Sequence, residues 1–211
     1  MQLYFSPLAC SLASRIALYE AGAAANFIEV DPKTKQTLTG VDYFTINSLG
    51  LVPALRTDSG ELLLENAAIL QYIGDQFQEA NLVPVSGIER SRLQQWLSFI
   101  GTELHKALFV PLFDKGLPDA TKAKTLDIGS KRLAYLDKHL ERREFLLDRF
   151  SVADAYLTAV LNWNIATPVD LEQWPSTGAY FARLKARPAV ARAMQEEFAM
   201  YAEEQKRHKA A

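Results

Sequence analysis

The sequence predicts a chain of two parts, a small mixed α/β part over residues 1–80 and an all-helical part over residues 88–211. Two observations predict this fold class. In the first part, short apolar alternations typical of strands are interleaved with apolar residues at helical spacing, whereas every apolar pattern in the second part is helical. Residues 81–87 between them have the composition of a linker. Because this linker is short, we expect the two parts to pack together and leave a cleft.

The α/β part is predicted to hold four short strands and two helices. In chain order these are strands over 2–5 and 26–31, with a helix over 11–21 between them, then strands over 53–57 and 61–64, and a helix over 66–77. Gly22 stops the first helix, and the turn composition of residues 58–60 joins the last two strands. This order predicts a small mixed sheet with helices packed on it.

The second part is predicted to be a bundle of helices separated by prolines. Its first helix carries a stripe of apolar residues and reaches Phe113. That stripe consists of Leu93, Leu97, Ile100, Leu104 and Leu108, and the further helices are predicted over 119–141, 152–165, 171–186 and 189–204. At the start of the helix over 152–165, Ser151 and Asp154 have the spacing of a capping box, which predicts a role in folding. The basic cluster over 206–209 is predicted to be a frayed, solvated tail.

Composition and charge exclude several classes of function. The 23 basic and 25 acidic residues leave a net charge of −2, which argues against nucleic-acid and membrane-surface partners. No apolar run approaches the ~18–20 residues of a membrane span, and the first residues lack the pattern of a signal peptide. The single cysteine cannot form an internal disulfide, so we expect a cytoplasmic protein.

Cys10 is the first candidate for chemistry, because it lies where a strand pattern changes to a helical one. The positive end of a helix stabilises a thiolate by about 0.3–1 kcal/mol. Ionisation at neutral pH needs roughly 3.4 kcal/mol, so Ser11 or backbone N–H groups are expected to donate further hydrogen bonds. The alternative is that Cys10 is a small buried apolar residue.

Two further segments are candidates for ligand binding. In the segment Gly50-Leu51-Val52-Pro53, a cis bond before Pro53 would turn the backbone of Val52 toward an extended peptide ligand, whereas the alternative is an ordinary trans proline at a strand start. Glu65 and Asn66 stand where the second helix begins, so free N–H groups there could bind a carboxylate while Glu65 accepts from an ammonium group. The alternative is that Asn66 only caps the helix.

The small α/β part thus combines a thiol at Cys10, a backbone segment at Val52 that can pair with a peptide, and a site at Glu65 and Asn66 for an amino-acid group. This combination suits one kind of ligand. That ligand has a central thiol and a γ-linked amino-acid head, and glutathione is such a tripeptide. On the first long helix, His105 shares a face with Ser98, Thr102 and Phe109, turned away from the leucine stripe. This face predicts that His105 lines the cleft, and the alternative is a solvated histidine.

The chain resembles the bacterial, cysteine-containing (beta-type) glutathione transferases over essentially its whole length. The residues that carry the resemblance are the segments LYFSP and ACSL at 3–7 and 9–12, GLVPAL at 50–55, ENAAI at 65–69, TELHK at 102–106 and FSVADAY at 150–156. The resemblance implies a thioredoxin-like N-terminal domain, an all-helical C-terminal domain, a cis bond between Val52 and Pro53, and a homodimer. Members often have tyrosine at Phe5, serine at Asn66 and asparagine at Ser98.

The resemblance also implies a role for each matching residue. Cys10 would face the sulfur of glutathione, assisted by Ser11 and His105. The residues that would bind glutathione are Lys35 at the glycyl carboxylate, Leu51, Val52 and Pro53 at the cysteinyl backbone, Glu65 and Asn66 at the γ-glutamyl head, and Ser98 and Lys106 from the helical part.

We therefore predict a glutathione transferase that joins the glutathione thiolate to small hydrophobic electrophiles, without a permanently bound cofactor or metal. Phe109, Phe113 and Trp163 are the predicted lining of the electrophile pocket. Two alternatives stay open: a glutathione-dependent thiol-disulfide reductase working through a Cys10 mixed disulfide, and a non-catalytic protein of the same fold that binds apolar ligands.

Overall fold

The computed structural model describes residues 1–210. The chain separates into two compact units, which are described one at a time. Unit 1 consists of Met1–Leu82 together with the C-terminal helix from Pro188, and unit 2 consists of Val83–Arg187. The predicted helical domain over 88–211 therefore contains one helix that packs with unit 1.

Unit 1 is built on a four-stranded sheet in the order β2-β1-β3-β4. The strands are β1 (Gln2–Phe5), β2 (Asn26–Glu29), β3 (Ala54–Arg56) and β4 (Leu62–Leu64). β1 runs parallel to β2 and antiparallel to β3, and β3 runs antiparallel to β4. The predicted mixed sheet is confirmed. The last three strands are shorter than predicted, because backbone pairing ends where the chain bends into turns.

Within residues 1–210, unit 1 has three α-helices: α1 (Leu12–Glu20), α2 (Asn66–Gln76) and the long C-terminal helix, numbered α8 in chain order (Pro188–Ala210). It also has short 3-10 helices at Tyr43–Thr45 and Gln78–Ala80. α1 is buried along most of its length and packs against both α2 and α8. Gly22 takes a φ of +62° just after α1, a conformation that glycine adopts at little cost, so the predicted stop is confirmed.

The prediction of a frayed tail over 206–209 is wrong. α8 continues to Ala210, and two of the basic side chains bond acidic side chains elsewhere in unit 1. Arg207 pairs with Glu29, and His208 Nε2 lies 2.7 Å from Asp31 Oδ2. Acidic side chains at the end of β2 thus supply the partners that an isolated basic tail would lack.

Unit 2 is wholly helical. Its helices are α3 (Gly87–Phe99), α4 (Val110–Phe113), α5 (Asp119–Leu140), α6 (Val152–Leu161) and α7 (Pro175–Lys185). Residues Ile100–Phe109 connect α3 to α4 as a π-helical segment, so the predicted helix to Phe113 is continuous but not α-helical throughout. A π-helix closes i→i+5 bonds and therefore changes which side chains share a face.

The capping box predicted at the start of α6 is confirmed. Asp154 Oδ2 accepts from the backbone N–H and the hydroxyl of Ser151, each at 2.8 Å. Its other oxygen accepts from the backbone N–H of Leu146 at 2.9 Å and from the Tyr180 hydroxyl at 2.7 Å. Burial raises the pKa of this fully buried carboxyl, and the four donors act in the opposite direction. Asp154 therefore ties α6, α7 and the loop before α6 together.

No helix within residues 1–210 is long and apolar enough to cross a membrane. Over the same residues, no cluster of three or more His, Cys, Asp or Glu side chains has the arrangement of a metal site.

Candidate active site

Cys10 lies in the turn between β1 and α1, two residues before the helix begins. The residue is half-buried, and its Sγ donates to the backbone carbonyl of Val52 at 3.3 Å. The alternative of a sealed apolar cysteine is therefore wrong. A partly exposed thiol at a helix start is the setting in which thiolate chemistry is favoured.

Ser11 does not play the part predicted for it. Its side chain is fully buried, and its hydroxyl donates to the carbonyl of Ser6 at 3.2 Å while accepting from the Ser6 N–H at 3.3 Å. Because a hydroxyl has one proton to donate, Ser11 cannot also donate to the sulfur of Cys10. Ser11 shapes the turn that carries Cys10 instead.

A buried ion pair between Arg15 and Glu197, which the sequence did not reveal, holds the turn that carries Cys10. Arg15 Nε donates to Glu197 Oε1 at 2.9 Å, and Glu197 Oε2 accepts from the backbone N–H of Leu8 at 2.8 Å. The Arg15 guanidinium lies over the rings of Phe5 and Phe27, 4.3 and 4.1 Å from their centroids. Burial raises the pKa of Glu197 to about 7, against the pull of Arg15 and the Leu8 N–H. α8 thus fixes the backbone two residues before Cys10.

The segment before Pro53 is held by hydrogen bonds to its backbone. The Val52–Pro53 bond is cis, as predicted. The Tyr43 hydroxyl and Asn47 Nδ2 donate to the carbonyl of Leu51 at 2.9 and 2.8 Å. These donors position the residue before Val52, and sequence reasoning missed both because they come from the irregular connection over 31–51.

Lys35 also reaches this segment, as Nζ donates to the carbonyl of Gly50 at 3.0 Å. The ammonium group of Lys35 therefore lies beside the backbone that leads to Val52. Leu51 keeps half of its side chain exposed, at 51%, whereas Pro53 is buried.

Glu65 and Asn66 stand at the start of α2, where the alternative that Asn66 only caps the helix is wrong. Glu65 is the residue before the helix and has an exposed carboxylate. The Asn66 side chain does not cap the helix; its Nδ2 donates to the carbonyl of Cys10 at 2.8 Å, and its Oδ1 accepts from the Ser14 hydroxyl at 3.0 Å. The amide of Asn66 points into unit 1 because it links α2 to α1, so only its backbone N–H stays suited to a ligand.

Three non-glycine residues of this region have a positive φ: Leu8 at 59°, Lys35 at 56° and Glu65 at 66°. Such conformations are uncommon for side chains of this size and concentrate at functional sites. Leu8 lies two residues before Cys10, Lys35 carries the ammonium group beside Gly50, and Glu65 lies directly before α2. The backbone of unit 1 is therefore bent to place Cys10, Lys35 and the start of α2.

In unit 2, His105 is buried, with 8% of its surface exposed, so the alternative of a solvated histidine is wrong. Its Nδ1 lies 2.8 Å from the Tyr156 hydroxyl, and its ring packs against Trp163 with centroids 4.8 Å apart. Burial and the charge of Lys106 lower the pKa of His105 to about 4, so the imidazole is neutral at neutral pH. Sequence reasoning missed Tyr156 as its partner, because the two are 51 residues apart.

The three predicted lining residues of unit 2 do lie together. The rings of Phe109 and Phe113 pack edge-on against Trp163, with centroids 5.8 and 5.6 Å away. Phe109 is fully buried, so it supports the ring of Trp163 and offers no surface, whereas Phe113 is 41% exposed. The prediction for Phe109 as a lining residue is therefore wrong.

The predicted face of Ser98, Thr102, His105 and Phe109 does not share one environment. Ser98 and Thr102 are exposed, and the Thr102 hydroxyl donates to the Ser98 carbonyl at 3.0 Å, while His105 and Phe109 point inward. The π-helical bonding over Ile100–Phe109 departs from the 3.6 residues per turn that the predicted face assumed. Lys106 is exposed on the same segment.

Comparison with known proteins gives a consistent result over most of the chain. The family model for the glutathione S-transferase N-terminal domain matches residues 1–75, and that for the C-terminal domain matches residues 102–188. Glutathione S-transferase GstA of Escherichia coli O157:H7 is 40% identical, with 93% of this chain and 98% of that protein covered. Glutathione S-transferase GST-4.5 of Xanthomonas campestris pv. campestris is 33% identical over 93% of this chain and 98% of that protein.

Solved structures agree with the sequence comparison. BphK, a bacterial GST solved as a ternary complex, superposes with a TM-score of 0.90 at 43% identity, covering 93% of this chain and 99% of that chain. The beta-class glutathione S-transferase of Sphingomonas chungbukensis has a TM-score of 0.89 at 46% identity, with coverages of 93% and 98%. A sphingomonad glutathione S-transferase solved with glutathione also has a TM-score of 0.89, at 45% identity and the same coverages.

Proposed function

The chain belongs to the glutathione S-transferase family, and on that premise we propose that it binds glutathione in unit 1 and transfers its thiolate to small hydrophobic electrophiles. The resemblance predicted from the sequence motifs is confirmed. The observation that carries the proposal is the half-buried thiol of Cys10, which lies just before α1. Its sulfur is 3.3 Å from the carbonyl oxygen of Val52. A relative at 45% identity is described as complexed with glutathione.

Glutathione offers three groups, and unit 1 offers a partner for each. We assign the γ-glutamyl head to the carboxylate of Glu65 and the backbone N–H of Asn66, where the positive end of α2 favours a carboxylate. The cysteinyl backbone pairs with Val52, next to Leu51 and Pro53. The glycyl carboxylate pairs with the ammonium of Lys35. Cys10 then faces the glutathione sulfur.

The reaction we propose is a substitution at carbon. The glutathione thiol loses its proton to solvent, and its sulfur lone pair forms a C–S bond to the electrophile. When the electrophile is a chloronitroarene, the C–Cl bond breaks and chloride leaves with the bonding pair. The dipole of α1 favours the thiolate by about 0.3–1 kcal/mol, and in this proposal the Cys10 thiol turns from the Val52 carbonyl to donate its hydrogen bond to the glutathione sulfur.

Unit 2 supplies the apolar surface of the electrophile site in this proposal. Phe113 and Trp163 form its aromatic lining, supported from behind by Phe109. His105 is neutral at neutral pH because its pKa is about 4, so it offers a hydrogen bond rather than a positive charge. We keep Lys106 and Ser98 as proposed contacts on the exposed side of the same helix.

Two measurements test the proposal. The protein should be retained on immobilised glutathione and should conjugate a chloronitroarene at millimolar glutathione, with one chloride released for each conjugate formed. Neither retention nor turnover under these conditions would refute it. Tight binding of hydrophobic dyes without conjugation would instead favour the non-catalytic alternative.

A second activity, glutathione-dependent thiol-disulfide exchange, is favoured by the partial exposure of the Cys10 thiol. In this reaction the Cys10 thiolate attacks the glutathionyl sulfur of a mixed disulfide, and the other thiol leaves. A second glutathione thiolate then attacks the Cys10 adduct, which restores Cys10 and forms oxidised glutathione. Glutathione is the resolving thiol, since the chain has one cysteine.

Intact mass spectrometry separates the two activities. Incubation with oxidised glutathione should add one glutathione to each chain, and Cys10→Ser should abolish the adduct. The same variant should lose disulfide exchange by more than about a hundredfold while conjugation falls less. If Cys10→Ser lowered both activities equally, Cys10 would have the same role in disulfide exchange and in conjugation. That result would contradict the proposal that Cys10 is a covalent nucleophile in disulfide exchange alone.

We also propose that the protein is a cytoplasmic homodimer. The connection over 31–51 exposes apolar side chains, including Phe44 at 50% and Leu49 at 63%, as interaction surfaces often do. A single reduced thiol suits a reducing compartment. Sedimentation equilibrium of the purified chain tests the dimer, and a monomer at micromolar concentration would contradict it.

A further inference from the structure

The last turn of α8 is fastened to the end of β2 by one ion pair and one hydrogen bond. Arg207 pairs with Glu29, and His208 Nε2 lies 2.7 Å from Asp31 Oδ2. Both acidic residues are only 9% exposed, so these pairs lie against the body of unit 1. We call these four residues the C-terminal clamp. None of them takes part in the reaction proposed above.

Asp31 is the residue through which the clamp can act at a distance. Its Oδ1 accepts from the backbone N–H groups of Lys33 and Thr34 at 2.8 and 3.0 Å, and its carbonyl accepts from the N–H of Lys35 at 3.0 Å. One carboxylate oxygen therefore folds the turn that follows β2, while the other faces His208. The ring of His208 restrains the rotation of the same carboxylate that shapes the turn.

Lys35 ends that turn in an uncommon conformation, with a φ of 56°. Its Nζ donates to the carbonyl of Gly50 at 3.0 Å, in the segment that leads to Val52. A continuous set of hydrogen bonds thus runs from His208 through Asp31 and the turn to Lys35. A long lysine side chain loses conformational freedom when it binds, so a fixed backbone limits that cost.

The two basic side chains of the clamp offset the charge of a cluster of carboxylates. Glu204 of α8 is 3% exposed and faces the same cluster, so three carboxylates meet two basic side chains. Burial raises the pKa of Glu204, Asp31 and Glu29 raise it further, and His208 and Arg207 lower it. Burial acts to raise the pKa of Asp31. Hydrogen bonds from the N–H of Thr34, from His208 and from the N–H of Lys33 outweigh it, so the pKa of Asp31 lies below its ordinary value. Without the bases the carboxylates would repel one another across the turn.

We propose that the C-terminal clamp positions Lys35, which makes His208 and Arg207 positioning residues for recognition of the glycyl carboxylate of glutathione. The inference rests on the proposed function, because Lys35 is assigned to that carboxylate there. It extends the glutathione site to the last turn of α8, whose side chains do not contact the ligand in this proposal.

The test compares two ligands that differ by the glycine alone. Dissociation constants of glutathione and of γ-glutamylcysteine are measured calorimetrically on the full chain and on His208→Ala. Alanine keeps the helix but removes the ring. We expect glutathione to bind about three- to tenfold more weakly to the variant, whereas the affinity for γ-glutamylcysteine stays within twofold. Lys209→Ala, an exposed neighbour on the same turn, is the matched control and should change neither constant.

A conservative variant separates positioning from general stability. His208→Gln places an amide N–H close to the position of Nε2, so it should restore most of the affinity for glutathione. His208→Asn is too short to reach Asp31 and should behave like His208→Ala, which gives a second reading if the alanine variant does not fold.

Each outcome decides the inference. Equal weakening of both ligands, unchanged glutathione binding, or failure of both short variants to fold would overturn it, because His208 would then serve the fold and not Lys35. If the unaltered chain does not bind glutathione at all, the proposed function itself fails, and this result is distinct from a clamp without effect.

Discussion

Cys10 and His105, two of the proposed active-site side chains, lie in opposite surroundings. Cys10 is half-buried, and its sulfur faces a backbone carbonyl 3.3 Å away. His105 is 8% exposed, bonded to the hydroxyl of Tyr156 and packed on the ring of Trp163. Unit 1 thus holds a half-buried thiol among polar backbone groups, whereas unit 2 packs buried aromatic rings around a neutral imidazole, with Phe113 exposed beside them.

The difference teaches how a transferase can combine one fixed substrate with many variable ones. Backbone carbonyls, N–H groups and a lysine recognise a ligand by the direction of its hydrogen bonds, which suits an invariant tripeptide. Aromatic rings recognise size and apolar surface, and directional bonds contribute little there. If the two units divide recognition in this way, a change in one unit should leave the ligand of the other unit unaffected.

The largest expected effect comes from removing the carboxylate that holds unit 2 together. Asp154→Ala leaves the N–H of Leu146, the hydroxyl of Tyr180 and the N–H of Ser151 without their buried acceptor. We expect the free energy of unfolding to fall by about 3–5 kcal/mol, measured by urea titration. Asp148→Ala, whose side chain is 88% exposed in the preceding loop, should change it by less than about 0.5 kcal/mol. Comparable losses in both variants would refute this role for Asp154.

The next effect concerns the buried imidazole. The pKa of His105 is about 4 in the folded chain and 6.5 in its ordinary state. Between these pH values the unfolded chain therefore binds a proton at His105 that the folded chain does not bind. Stability should therefore fall as the pH is lowered from 6.5 toward 4, by about 2 kcal/mol between pH 7 and pH 5. His105→Gln should lack this component in urea titrations at the two pH values. The other titrating groups, Glu197 among them, contribute equally to both proteins, so identical slopes would show that His105 is not neutral.

A smaller effect tests recognition in unit 1. Lys35→Met keeps the length of the side chain but removes its charge, so glutathione should bind about fivefold more weakly, which corresponds to about 1 kcal/mol. The KM for a chloronitroarene should stay unchanged. Lys33→Met, on the exposed part of the same turn, is the control. A rise in the KM of the electrophile would break the proposed division between the units.

The smallest effect tests unit 2 in the reciprocal experiment. Trp163→Phe shortens the ring that packs on Phe113, so the KM for an aromatic electrophile should rise about threefold while that for glutathione stays constant. Trp96→Phe is the matched control, because Trp96 packs on Phe99 and His139. Equal changes in both variants would mean that the electrophile does not contact Trp163.

Local patterns predicted the order of the elements well, and they predicted individual partners poorly. Apolar periodicity located the sheet strands and the helices because burial of one face is a local property of spacing. The capping box at Asp154 was predictable for the same reason, since its members are three residues apart. The π-helical turn at Ile100–Phe109 was not, because its apolar residues fit a 3.6-residue period equally well.

Contacts between distant residues decided the remaining features of the site. Cys10, Glu65 and the segment before Pro53 were recognisable in the sequence because each lies at the end of a predicted element. That Ser11 bonds Ser6, that Asn66 joins α2 to the carbonyl of Cys10, and that Glu197 holds Leu8 became visible only in the folded chain. Polar side chains bond whichever group the packing of apolar faces brings near, so residue type and spacing specify the elements while their assembly selects the partners.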